Sequence, residues 1–318
     1  RHQVRLQDGL LMDNLSLITN DLQNGKKVLV VCNTVKQAQD VYNELFEATN
    51  VKSVLLHGGF CGIDRNNNEQ ILLKAEKNED KSQEVKFLVG TQAIEVSLDI
   101  DFDIIYTEPA PIDALIQRFG RVNRKREKGI CPCVIFKENN ESDFYIYSQE
   151  TIQRTLEVFV KNENEGIIDE KILQDYIDFV YPKWDTEDKI KFETTYNALK
   201  TSLQFLFPLL HSKHTEEDFY KQFDGIKVLP QSNKEKFIEH LKNYDFISAE
   251  GLKVQIRKQR FASWLKNGFV RKASFVFDTV NKKGEPLTIH YFETNKKYNP
   301  ELGLLKDEND NWKDDVFL

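Results

Sequence analysis

The sequence has few cysteines, a single methionine and no long apolar run, and each scarcity closes off a class of protein. Four cysteines (Cys32, Cys61, Cys131 and Cys133) stand among 318 residues, mostly in apolar surroundings. That usage predicts reduced, buried structural thiols rather than a disulfide framework. Cys131-Pro-Cys133 has no second Cys or His pair to complete a zinc site, so no metal is expected. A membrane helix needs about 20 consecutive apolar residues, and no stretch approaches that length; the N-terminus also lacks the apolar core of a signal peptide. Membrane insertion and secretion are not expected, and the predicted location is the cytoplasm. A positive overall balance is missing too: 51 acidic residues against 44 basic ones give a formal charge of -7. A protein that coats nucleic acid shows the opposite sign, so only local basic clusters remain open to that role. The first residue is Arg1 and the only methionine is Met12, which predicts a fragment or a processed product.

What is present begins with apolar runs alternating with helical patterns. Chain length suggests about two domains, and 40% apolar residues suffice for a sizeable core. VLVVC at 28–32, SVLLH at 53–57, KFLVG at 86–90, DIIYT at 103–107 and CVIF at 133–136 read as strands. Val35, Ala38, Val41, Tyr42 and Leu45 recur at helical spacing after the first of them, and 71–75 belongs to a second helix. Another helix begins near Pro111, a favoured first position. Continuous apolar strands alternating with helices predict an α/β fold with a parallel sheet covered on both faces. From residue 139 the composition changes. A polar stretch, ENNESD, leads into helical patterns at 148–161, 168–180 and roughly 186–206, which predicts a helical linker over 139–207. Residues 208–318 read as a small mixed α+β domain, with a helical stretch near 257–267 and a hairpin over 274–292 that turns at Lys283-Gly284.

One octamer, QRFGRVNR at 117–124, concentrates charge. Arg118, Arg121 and Arg124 recur every third residue, which on a helix makes one slowly drifting stripe. Unpaired guanidinium groups repel one another, and their planar forks suit phosphate oxygens. For the octamer alone, a solvated face answered by surface carboxylates is the simpler reading. Position separates the two readings. In a parallel sheet, ligands gather at the loops that leave the carboxyl ends of the strands. Those loops carry Asn33 and Thr34, His57-Gly58-Gly59, the run TQAIEVSLDID at 91–101, and the Pro111 helix with its arginines.

VLVVCNTVKQAQDVYNEL, TQAIEVSLDID and QRFGRVNR resemble motifs IV, V and VI of the second RecA-like domain of superfamily 2 helicases. The longer run FLVGTQAIEVSLDIDFDIIYTEPAPIDALIQRFGRVNRKR is similar to the CRISPR-associated helicase-nuclease of type I systems, as are HGGF with Asp64-Arg65 and YNPELGLL at 298–305. The resemblance is strong over about 27–128 and thinner beyond. It implies a RecA-like domain over 1–138, the helical linker, and a C-terminal accessory domain lying over a strand channel. It also implies ATP as the nucleotide, with Mg2+ held by a first RecA-like domain that this sequence does not contain.

Carried onto these residues, the resemblance makes Arg121 and Arg124 the arginines that reach the nucleotide's phosphates across an interdomain cleft. Gln117 is expected near the γ-phosphate and Asp99 at the ribose, although a turn or cap is an equally simple role for Asp99. Arg118 is expected to orient its helix by pairing with a carboxylate, and Glu95 to form a salt bridge between motifs. Thr34, Thr91, Gln92, Ser97 and His57 are the expected nucleic-acid contacts, with close packing open for Ser97 and a polar strand cap open for His57. Residues 117–128 sum to +5 and residues 250–273 to +6. In the second cluster Phe261, Trp264 and Phe269 suit either base stacking or a core.

The sequence contains no GxxxxGK[ST] loop to cradle a triphosphate, no DExx element of the kind that positions magnesium and water, and no His-Asp nuclease pair. The expectation is half of an ATP site, inactive alone. Implied partners are single-stranded DNA, a guide-RNA surveillance complex, and the first RecA-like and His-Asp nuclease domains. Two rival readings stay open: another superfamily 2 DNA or RNA helicase, and a non-enzymatic adaptor that keeps the fold without the ATP chemistry.

Overall fold

A computed structural model describes residues 1–77, 84–95, 99–140, 146–161, 166–183, 186–204, 225–280 and 284–305. Its first unit is a parallel sheet of six strands. They are β1 (His2–Gln7), β2 (Val28–Val31), β3 (Ser53–Leu56), β4 (Phe87–Gly90), β5 (Ile104–Thr107) and β6 (Cys131–Phe136), arranged β1-β6-β5-β2-β4-β3. All of β2, β4 and β5 and all of β3 but its first residue, Ser53, is buried, which is why these strands read as apolar runs. Successive side chains point to opposite faces. Val28, Val30 and Cys32 face α1 (Leu15–Gln23) and α2 (Val35–Thr49), while Leu29 and Val31 face α4 (Ile112–Phe119) and α5 (Gln149–Val160). The expected RecA-like sheet with helices on both faces is the fold found.

Two elements escaped the periodicity. β1 lies at the sheet edge beside β6, and only its alternate residues His2 and Val4 are buried. In HQVRLQ the intervening Gln3 and Arg5 dilute the apolar signal. α1 buries Ile18 and Leu22, one turn apart, with too few further apolar residues to stand out.

The stretch expected as a linker divides. Val158 and Phe159 of α5 and Val180 of α6 (Leu173–Val180) are buried in the same core as Leu29 and Phe119. These two helices therefore complete one face of the RecA-like unit. α7 (Thr186–Gln204), by contrast, leaves Ile190, Phe192, Tyr196 and Leu203 exposed. The beginning of the expected C-terminal domain and the turn residue Lys283 lie outside the described residues.

The second unit is a mixed sheet ordered β8-β7-β10-β9, built from β7 (Ile226–Pro230), β8 (Val254–Ile256), β9 (Val270–Val280) and β10 (Pro286–Thr294). Helices Lys234–Lys242, Phe246–Gly251 and Lys258–Lys266 pack with it. Of the interleaved aromatics, Trp264 is 4% exposed and Phe261 meets Phe292 edge-on at 4.7 Å, so both belong to the core. Phe269 lies beneath the Lys296 ammonium at 3.9 Å, a cation–π contact within that core. The basic stretch is partly answered internally, because Lys253 pairs with Glu250 at 2.6 Å and Arg271 with Glu293 at 2.8 Å.

A short hairpin, β11 (Tyr298–Asn299) with β12 (Gly303–Leu304), clasps the two units together. It lies within YNPELGLL and docks on HGGF. Leu304 N–H donates to Gly59 O at 2.9 Å, and the Gln39 amide donates to the carbonyls of Leu302 and Leu304 at 2.6 and 3.1 Å. Gly303 has φ +75°, and a Cβ there would stand 2.7 Å from the His57 ring and 2.9 Å from Gly59 O. Only glycine satisfies both the backbone and the approach.

His57 sits beneath this clasp with no exposure, its Nδ1 accepting from Gly59 N–H at 3.0 Å and its Nε2 3.0 Å from Leu302 O. The expectation of a nucleic-acid contact at His57 is therefore corrected: the hairpin that covers the strand end excludes ligand from the ring. Burial lowers the His57 pKa to about 3, and likewise lowers that of His2, whose ring meets Val122 O at 2.8 Å, to about 4. Both rings are neutral in the fold, whereas the unfolded chain takes up protons below the ordinary value of about 6.5. Stability is thus fully present above that pH and declines as pH falls towards the two folded values. Between pH 7 and pH 5 we expect a loss on the order of 2 kcal/mol per histidine. Urea unfolding at the two pH values checks this, and unchanged stability would contradict it.

Candidate functional site

The arginine helix is shorter than the octamer. α4 ends at Phe119, and the Gly120 N–H closes it on the Ile116 and Arg118 carbonyls. Arg121 to Arg124 form a turn, so the expectation of one helical stripe of arginines is corrected. The turn is fixed by Asn123, which is buried at φ 47° and whose side chain donates to Gly129 O at 2.6 Å and accepts from Lys128 N–H at 3.0 Å. Asn tolerates this left-handed conformation better than most residues. The backbone then locks onto the end of the SLDID stretch: Phe102 N–H donates to Arg121 O at 3.0 Å, and Asn123 N–H donates to Phe102 O at 3.1 Å. Arg124 N–H adds a bond to the Asp101 carboxylate at 2.7 Å, whose other oxygen pairs with Lys128 at 3.1 Å. The segments resembling motifs V and VI are therefore one unit.

The three arginines have three environments. Arg118, still helical, has no exposure and makes five hydrogen bonds, matching the five N–H donors of a guanidinium. Its Nε meets Glu95 Oε1 at 2.9 Å, Nη1 meets Thr107 Oγ1 at 2.8 Å and Glu108 O at 3.3 Å, and Nη2 meets Asn33 Oδ1 at 3.2 Å and Tyr147 Oη at 3.3 Å. The expected carboxylate partner is Glu95, and the pair joins the two motifs. Arg121 is 7% exposed and donates from Nη2 to the Glu95 carbonyl at 2.5 Å. Burial, and then the neighbouring Arg124 charge, push its pKa below the ordinary arginine value. An anion placed against the two would relieve that repulsion.

Arg124 points outward. Its Nε holds Asp99 Oδ1 at 2.8 Å, with 43% of the arginine side chain and 81% of the aspartate side chain in solvent. Such an open pair is worth at most about 1 kcal/mol, so a phosphate can exchange for the carboxylate. Gln117 is exposed on α4 one turn before the arginine turn. Arg121 and Arg124 thereby lie beside the amino end of β5, next to the segment that carries Asp99, so the expectation that they gather at the carboxyl edge is corrected: α4 starts at the carboxyl end of β5 and carries the chain back.

The expected nucleic-acid contacts are less uniform. Thr34 is 2% exposed and its hydroxyl caps α2, accepting from Gln37 N–H at 3.2 Å. Thr91 is also 2% exposed, at the end of β4. Gln92, half-buried, donates to Asn33 O at 3.1 Å and to Tyr147 Oη at 3.3 Å. Ser97 lies outside the described residues.

Asn33, Glu108 and Tyr147 complete the site without having been singled out for roles. Glu108 is 1% exposed and accepts from Asn33 N–H at 2.5 Å and from Asn140 Nδ2 at 3.0 Å. A carboxylate that directly follows an apolar strand and precedes Pro109 was the available signal for it. Among the described residues, no group of three or more His, Cys, Asp or Glu is placed to hold a metal ion. All four cysteines are buried, and none is in a disulfide. No helix among the described residues is long and apolar enough to cross a membrane. A groove of about 650 Å³ lies apart from the arginines, where Arg65 of α3 (Gly62–Lys77) faces Lys227, Lys253 and Arg257 of the second unit.

The family model for the C-terminal part of the CRISPR-associated nuclease/helicase Cas3 matches residues 24–127. The Streptococcus thermophilus protein of that description is 28% identical over 274 residues, covering 83% of this chain and 26% of the relative. This chain spans about a quarter of the length of the curated relatives that it matches over the longest stretches. The crystal structure of T. fusca Cas3-ADP aligns with a TM-score of 0.62 at 17% identity, covering 96% of this chain and 42% of that one. A chain in a pre-nicking CRISPR RNA-guided surveillance complex aligns with a TM-score of 0.55 at 17% identity, covering 96% and 44%.

Proposed function

We propose that this chain, which belongs to the Cas3 family as a C-terminal helicase portion, supplies the second RecA-like half of an ATP-driven translocase on single-stranded DNA. The observation that carries the reading is the arginine turn. It is bonded backbone-to-backbone to Phe102 in the segment after Asp99 and holds two adjacent guanidinium groups, one of them open to solvent, beside the amino end of β5.

The donor set fits a nucleoside triphosphate. Arg124 and Arg121 bind the phosphates and neutralise charge that grows on the transferring phosphoryl oxygens, an effect that can reach about 10³ to 10⁵ in rate. Gln117 orients towards the terminal phosphate. When phosphate takes the Arg124 guanidinium, Asp99 is released to accept from the ribose hydroxyls. ATP supplies the phosphoryl group, with Mg2+ held by a first RecA-like domain. Because the triphosphate-cradling loop belongs to that other domain, this chain alone turns over no ATP.

The DNA strand is gripped through its phosphates beside Thr34, Thr91, Gln92 and Ser97. Such contacts give purchase without reading sequence. The basic groove between the units, with Arg65 and Lys253, continues the path beneath the accessory domain. Closure and reopening of the two RecA-like halves moves the protein 3′ to 5′ along the strand displaced by a guide-RNA surveillance complex, feeding it to a His-Asp nuclease in antiviral defence in the cytoplasm. The relatives' names and the alignment with a surveillance-complex chain support this setting.

Strand displacement by the full-length protein tests the polarity. With ATP, a duplex bearing a 3′ single-stranded tail is expected to be opened and one bearing only a 5′ tail is not. The reverse preference would overturn the reading.

A further inference from the structure

Between the DNA-facing and nucleotide-facing ends of this site runs an unbroken series of side-chain bonds. The Gln92 amide donates to the Tyr147 hydroxyl oxygen at 3.3 Å, and Arg118 Nη2 donates to the same oxygen at 3.3 Å. Arg118 Nε then meets the Glu95 carboxylate at 2.9 Å, and the Glu95 carbonyl receives Arg121 Nη2 at 2.5 Å. Gln92 and Glu95 bracket the short helix Gln92–Ile94, so the series closes on a rigid piece of backbone. Tyr147 comes from a different part of the chain, just before α5, and packs against the core beneath.

We propose that Tyr147 is a positioning residue that couples nucleic-acid binding to the arginine turn, acting through Gln92 on one side and Arg118 on the other. The inference rests on the translocase reading above. Three features favour Tyr147 over its neighbours. Its hydroxyl receives both donors at one side-chain atom, whereas Asn33 takes Gln92 on its backbone carbonyl and Arg118 on its side chain, and Thr107 takes only Arg118 from this series. Its two bonds are the longest in the series, so a shift of Gln92 towards a DNA phosphate is felt there first. The phenol is anchored in apolar contacts, so it remains a fixed reference while the Gln92 side chain changes partner. Loss of one acceptor on a fully bonded, buried guanidinium redistributes the others, and the shortest remaining route from Arg118 leads through Glu95 to Arg121.

Coupling of this kind is measured by a double-substitution cycle. In the full-length protein, ATP turnover is followed with and without oligo(dT), for wild type, Tyr147→Phe, Gln92→Ala and the double variant. Tyr147→Phe keeps the ring and removes only the hydroxyl, and thermal melting confirms that it folds. The ratio of DNA-stimulated to basal turnover is expected to fall about threefold to tenfold in Tyr147→Phe. In the Gln92→Ala background, the same substitution is expected to change that ratio by less than about 1.5-fold, because the partner through which it acts is gone. A residue that only packs would act independently of Gln92, so equal effects in both backgrounds overturn the proposal, as does an unchanged ratio in Tyr147→Phe. If the phenylalanine variant does not fold, Tyr147→His in the same cycle, with a ring nitrogen available as acceptor, is held to the same criterion. Absence of DNA stimulation in the wild type would instead remove the translocase reading and this proposal with it.

Discussion

Arg118→Ala is expected to destabilise the protein by about 3 to 5 kcal/mol, the largest single loss of stability at this site. The guanidinium has no solvent exposure, and its removal strands several acceptors at once: the Glu95 carboxylate, with 12% of its side chain exposed, the Thr107 hydroxyl and the Asn33 amide oxygen. The buried carboxylate dominates, because an unpaired charge there loses its water without gaining a partner. For a unit of this size, such a loss lowers the melting temperature by roughly 10 °C. The double variant Arg118→Met with Glu95→Gln removes the Glu95 charge together with its partner, while Glu108 keeps its bonds to Asn33 N–H and Asn140, and is expected to recover part of the loss. Calorimetric melting of the three proteins decides the matter. If Arg118→Ala melts within about 2 °C of wild type, the network does not carry the weight assigned to it.

Arg124→Ala is expected to do the reverse, sparing the fold and abolishing chemistry. Its side chain is 43% exposed, and it pairs with a still more exposed aspartate, so stability should change by less than about 1 kcal/mol. In the full-length protein, the kcat for DNA-stimulated ATP hydrolysis is expected to fall about 10³-fold. Arg124→Lys should recover little, because an ammonium cannot present the planar fork. Steady-state turnover with saturating oligo(dT) checks both variants. A rate within tenfold of wild type for Arg124→Ala would remove the catalytic role assigned to this arginine.

The contrast between Arg118 and Arg124 shows where sequence reasoning stops. Three arginines at equal spacing suggest one helical stripe, and periodicity alone cannot separate them. What separates them is Gly120, which ends α4 after Phe119, and Asn123, whose positive φ turns the chain back. Glycine inside an octamer of otherwise tolerable residues is a weak stop signal, so the helix read as longer than it is. The family resemblance assigned Arg118 to structure and Glu95 to a bridge between motifs, and the buried pair at 2.9 Å agrees. The sequence alone offered no argument for either.

Strands β2 to β5 were legible because burial on both faces leaves each of them largely apolar, whereas β1, half-buried at the edge, was not. Contacts remote in sequence left still less trace. His57 and Leu302 are 245 residues apart, and nothing in either local pattern announces that a glycine hairpin will seal the histidine from ligand. HGGF and YNPELGLL were each singled out by resemblance. That they form one interface follows only from the structure. Tyr147 was invisible for the same reason: it belongs to no periodic element and gains its role from meeting two motifs at their far ends.

The most direct test of the account is the hydrolysis step itself, observed in a single turnover of ATP by the full-length protein on saturating oligo(dT), for wild type and Arg124→Ala. The account predicts a chemical step slowed about 10³-fold, with nucleotide affinity changed far less, since the arginine acts chiefly on charge that develops in the transition state. Equal single-turnover rates would contradict it.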